Sequence, residues 1–79
     1  MRVVPVYFAT DAIAARRFFE ALGLQTGWIA ESDSWVSLDG SGGGVGVHAA
    51  AEGTPPRLPG TVELSFESEE PLEIIADRF

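Results

Sequence analysis

Residues 3–24, VVPVYFATDAIAARRFFEALGL, run from a short apolar strand through a capped turn into one amphipathic helix, and the rest of the chain reads as strands and turns that pack on it. Residues 2–8 are β-branched and aromatic, the composition of a strand buried on both faces. Alternation puts Val4, Val6 and Phe8 on one face and Val3, Pro5 and Tyr7 on the other. Pro5 lacks a backbone donor, so a free or bulged edge is expected near it. Thr10 and Asp11 are good N-caps, because their side-chain oxygens accept orphan N–H groups. A helix over residues 12–22 follows, with Ala15, Phe18, Phe19 and Leu22 as its apolar stripe and Arg16, Arg17 and Glu20 outside it. Gly23 is its natural stop, since glycine tolerates the left-handed conformation there.

Beyond the helix, residues 25–30 and 34–38 read as two strands joined by a polar turn at 31–33, with Trp28 in one and Trp35 in the other. The run 39–44, DGSGGG, does not lead from a strand into a helix, so it fails the context of a phosphate loop and reads as a flexible hairpin loop. Residues 45–49 form a further strand, with Val45 and Val47 on one side and Gly46 and His48 on the other. Residues 50–60 contain GTPPRLPG and read as an irregular connection. TVELSFE at 61–67 alternates, with Val62, Leu64 and Phe66 expected inward. Ser68 caps a second expected helix, with Glu69 and Glu70 at its positive end, Pro71 in its first turn and Leu72, Ile75, Ala76 and Phe79 on its apolar side. The expected organisation is α+β: a βαβββ module over 1–51, a linker over 52–60, and a further βα over 61–79.

The bulk properties bound the function. Seventy-nine residues make one small domain of modest core. There is no cysteine and a single histidine, so neither disulfides nor a cysteine or multi-histidine metal site is available within one chain. No apolar run approaches the roughly 20 residues of a membrane span. MRVV lacks the start of a signal peptide, so a cytoplasmic protein is expected. The net charge of −7 argues against nucleic acid, because phosphate contacts need a cationic surface. That charge is uneven: residues 1–30 carry a net +1 and residues 31–79 a net −8. The acidic part is either a solvated surface or a field that draws a cationic ligand or a basic partner.

The strand, Asp11, the pair Phe18 and Phe19, and Leu22-Gly23, followed after a Pro/Gly linker by GTVELSFES, together resemble the vicinal oxygen chelate superfamily. Its members include glyoxalase I, bleomycin-resistance proteins and extradiol dioxygenases. The resemblance implies a glyoxalase/bleomycin-resistance type of fold, in which two βαβββ modules each curl a sheet around a shared cavity. It implies that this chain holds one module and the start of a second. The chain is then a fragment, or a short form that completes its cavity as a homodimer, and pairing would also cover open sheet edges.

The metal-dependent members draw ligands from the first and last strands of each module. Those positions fall here on Pro5, which has no donor, on His48, which has one, and near Thr61, with Glu63 one pleat further on; the last would lie beyond Phe79. One good candidate does not make a divalent site, which wants three or four ligands, so no metal or other cofactor is expected and His48 is the only plausible ligand. No catalytic residue is assigned, because nothing pairs with His48 as a nucleophile–base set. His48 is then a cavity-lining or surface residue, a ligand contact, or a metal or proton-transfer group. Trp28 and Trp35 either fill space or stack on a flat or cationic ligand, with Glu31, Asp33 and Glu63 as acidic neighbours. The resemblance thus points to a metal-free small-molecule-binding protein that sequesters a cationic or aromatic ligand in a groove lined by Tyr7, Trp35, His48, Thr61 and Glu63. The alternatives are a metal-dependent lyase or dioxygenase with further ligands beyond the sequence, and an assembly module without small-molecule activity.

Overall fold

The computed structural model describes residues 2–30, 32 and 34–67. Five strands and one helix appear in the order β1 (Arg2–Ala9), α1 (Ala12–Ala21), β2 (Gln25–Ile29), β3 (Trp35–Gly40), β4 (Gly43–Ala49) and β5 (Val62–Glu67), with a short 3₁₀ turn at Ala50–Glu52. All five strands join one mixed sheet in the order β2-β3-β4-β1-β5. β1 runs parallel to β4 and antiparallel to β5, and the β2/β3 and β3/β4 pairs are antiparallel. The chain is therefore α+β, and β5 shares its sheet with the strands before the linker. The second helix expected after Ser68 lies outside the described residues, as do Glu31 and Asp33. No helix among the described residues is long and apolar enough to cross a membrane.

α1 starts where Asp11, in extended conformation, accepts a hydrogen bond from the Ala14 N–H at 3.0 Å. It ends in a Schellman motif: Gly23 N–H donates to the Glu20 carbonyl, Leu24 N–H donates to the Phe19 carbonyl, and Gly23 sits at φ +105°. Leu24 then packs with Phe19 against the core, the apolar contact that accompanies this motif.

The sheet has two differently dressed faces. On the helix side, Ala9, Ala12, Val36, Leu38 and Val47 form a buried cluster joined by Tyr7, Ala15 and Phe19. Leu38 and Val47 are the largest fully buried side chains, and each contributes about 1.5–3 kcal/mol of burial. On the other side, Val6, Phe8 and Ala50 pack together with Trp35. Val4, Val6 and Phe8 are buried as alternation demands, whereas Pro5 and Tyr7 are half-buried and Val3 is exposed, so β1 is buried fully on one face only.

Three expectations are corrected. Phe18 and Leu22 are 60% and 63% exposed, and the stripe that meets the sheet is Ala12, Ala15 and Phe19. The helix is thus rotated toward its small residues, which allow closer approach to the strands. DGSGGG is a hairpin connection, but a shorter one than its length suggests: β3 and β4 stay paired through Asp39↔Gly44 and Gly40↔Gly43, leaving a two-residue turn at Ser41 and Gly42. Val62, Leu64 and Phe66 share the helix side of the sheet but are 57%, 68% and 60% exposed. A helix is about 10 Å across, while five strands span about 19 Å, so α1 alone does not reach across the sheet, and among the described residues β5 is left uncovered.

Pro5 is accommodated between two neighbours. Phe8 N–H points to β5, where it donates to the Thr61 carbonyl. Alternation therefore turns the Pro5 nitrogen toward β4, and the β1/β4 ladder begins only at Val6↔Gly46. The missing donor falls just beyond the end of that ladder.

Candidate functional site

The helix-free face is organised in rows across the strands. Trp35 on β3 pairs with His48 on β4, His48 pairs with Phe8 on β1, and Phe8 bonds to Thr61 at the start of β5. Because side chains opposite one another in a sheet share a face, one row carries Trp35, His48, Phe8 and Thr61. The next row is Ser37, Gly46, Val6 and Glu63. Three residues expected to line a groove thus lie in one row, and Glu63 lies one pleat away.

The rings in this row touch. His48 lies 5.4 Å from Phe8 and 6.0 Å from Trp35 between ring centroids, the latter edge-on. Trp35 lies directly over Gly46: a Cβ there would stand 2.3 Å from the indole Cη2. The glycine that looks like an absence in the sequence is what seats the tryptophan. His48 Nδ1 is 2.8 Å from the Ala49 carbonyl oxygen. A carbonyl only accepts, so the neutral ring carries its proton on Nδ1 and keeps a lone pair on Nε2.

Charges flank the rings as pairs. The Arg57 guanidinium lies 5.5 Å over the Phe8 ring and donates to the Glu63 carboxylate and to the Pro55 carbonyl. At the far end of the face, Arg2 donates to Asp39 at 2.8 Å over Gly44 and lies 3.6 Å from Glu67. The hydrogen bond to Asp39 is the main cause that raises the Arg2 pKa above its ordinary value. These pairs are exposed and screened by water, so they contribute little to stability. The Thr61 hydroxyl is spent on the Leu58 carbonyl at 2.7 Å.

Two candidates stand apart from this row. Tyr7 projects to the helix side, where it meets Phe19 edge-on at 6.2 Å. Trp28 is 61% exposed on edge strand β2, beside a bulge where its N–H donates to the Ser37 hydroxyl in place of a ladder partner. Phe8 and Arg57 were missed in the sequence as site residues. Phe8 was signalled by its parity with Val4 and Val6; Arg57 sits in an irregular segment, and only its sign, rare in the acidic part of the chain, marked it out.

Among the described residues no three His, Asp or Glu side chains are grouped so that they could hold a metal ion. The helix-free face is partly covered: Val6 and Phe8 are buried beneath Ala50, Trp35 and Arg57, while Trp35 and His48 stay half-buried. A cleft of about 560 Å³ lies instead on the helix side, between α1 and β1, with Tyr7, Asp11, Phe18 and Pro59 in its lining. Compared with known proteins, the chain matches no family model, no curated protein and no solved structure.

Proposed function

We propose that this chain is a metal-free small-molecule-binding protein of the glyoxalase/bleomycin-resistance type, which sequesters a flat aromatic ligand on its helix-free sheet face. The observation that carries this reading is the row of Trp35, His48 and Phe8, in which half-buried His48 touches both half-buried Trp35 and buried Phe8, on a face with glycines at 44 and 46. Such a surface offers stacking, worth about 0.5–1.5 kcal/mol per aromatic contact beyond area burial. The charge preference is weaker than the acidic composition suggests, because Glu63 already has Arg57 as its counter-ion. Stacking is therefore the main attraction and a ligand's positive charge a smaller one.

Trp35 and His48 are half-buried rather than enclosed, so a ligand stacked on them needs a second wall. A homodimer supplies it, and the exposed side chains of Val3, Val62, Leu64 and Phe66 beside the edge strand β5 support self-association. A cytoplasmic setting goes with this reading. The test is calorimetric titration of the chain with a flat aromatic dye, proflavine, in wild type, Trp35→Phe and His48→Ala. Both substitutions are expected to weaken binding several-fold. Unchanged affinity in both would refute the site.

A further inference from the structure

We propose that the cleft between the first half of α1 and strand β1 is a separate binding site for a compact aromatic amine. Its volume of about 560 Å³ falls within the roughly 300–1,000 Å³ typical of small-ligand sites. The depth comes from Ala9, Ala14 and Ala15, small side chains where helix and sheet face one another. The walls are aromatic. Tyr7 and Phe19 meet edge-on at 6.2 Å, Phe19 and Phe18 at 5.5 Å, and Phe18 is 60% exposed although it lines the cleft. Pro59 bounds the lining from the segment before β5.

The choice of a cation follows from the mouth. Asp11 lines it, and its Oδ1 caps the helix by accepting from Ala14 N–H. The helix N-terminus contributes about half a positive charge and the carboxylate a full negative one, so the mouth is net negative. Among the described residues, no Lys or Arg lines it. A ring carrying an ammonium one or two carbons away places its ring among Tyr7, Phe18 and Phe19 and its charge at Asp11. This site lies on the opposite side of the sheet from Trp35 and His48, and it does not depend on the function proposed for that face.

The experiment is an amide-resolved NMR titration of the full chain with 2-phenylethylamine and, separately, with 2-phenylethanol, which has nearly the same shape without the charge. Two variants accompany it. Asp11→Asn keeps an equally good N-cap while removing the charge, and Ala14→Leu fills the cleft with a residue that favours helix. The expected result is saturable shifts at Ala9, Asp11, Ala14 and Phe18, with the alcohol about three- to five-fold weaker, as for one exposed charge contact. That preference should vanish in Asp11→Asn, and binding should be lost in Ala14→Leu with its circular dichroism intact. Absence of saturable shifts overturns the proposal. So does equal affinity for amine and alcohol, or binding that survives Ala14→Leu. Shifts confined to Trp35 and His48 also overturn it while supporting the other site.

Discussion

Gly46→Ala is the sharpest single perturbation of the aromatic row. An added Cβ would stand 2.3 Å from Trp35 Cη2, 2.9 Å from Cζ3 and 3.0 Å from Cζ2. Carbon atoms prefer about 3.5–4.0 Å, so the indole must retreat by more than about 1 Å. Positive φ angles occur at Gly23, Gly43 and Gly60, not at Gly46, so alanine meets no backbone penalty there. It even gains about 0.4–1 kcal/mol from a less flexible unfolded chain. Overpacking costs about 1–3 kcal/mol, which leaves a net loss of about 1–2 kcal/mol. With a urea slope of about 1–2 kcal/mol/M for a small domain, the midpoint falls by about 1 M. Equilibrium urea unfolding followed by far-UV circular dichroism measures this, and the near-UV signal of Trp35 should change with it. The same substitution in a Trp35→Leu background should cost almost nothing, because the clashing ring is gone. Equal penalties in the two backgrounds would refute the seating of Trp35 on Gly46.

Three further outcomes are expected. Leu38→Ala empties the middle of the helix-side core, where Leu38 is 1% exposed, and should cost about 2–5 kcal/mol in the same unfolding assay. Gly23→Ala forces a Cβ into φ +105° and should lower stability by about 1–2 kcal/mol, although no atom lies near the new methyl; a thermal melt will show it. Arg57→Ala should change stability by less than about 1 kcal/mol, since its ion pair is partly exposed, yet it frees Glu63 and should tighten proflavine binding in a salt-sensitive manner.

Residues 3–24 carried most of what was legible. Strand, cap and helix leave local signals, and Asp11 and Gly23 act within a few residues of themselves. Alternation likewise separated Gly46 and His48 from Val45 and Val47. Hydrophobicity alone ranks Phe18 and Leu22 above the alanines for the helix stripe, whereas the sheet takes the small residues Ala12 and Ala15 for close approach. Val62, Leu64 and Phe66 alternate as if covered, but whether a strand face is covered depends on how far one helix reaches across five strands. In the site, Tyr7 was grouped with Trp35 and His48 although its parity with Val3 and Pro5 put it opposite Phe8. Arg57 could not be foreseen, since the fold-back of residues 50–60 rests on long-range bonds such as Gly60 N–H to the Phe8 carbonyl at 2.7 Å.

The proposed binding face is tested most directly by mapping proflavine onto the chain by NMR. Saturable shifts centred on Phe8, Trp35 and His48, greatly weakened in Trp35→Phe, are the expected result. Shifts elsewhere, or none at ligand concentrations up to about 1 mM, where binding would be weaker than about −4 kcal/mol, would contradict it.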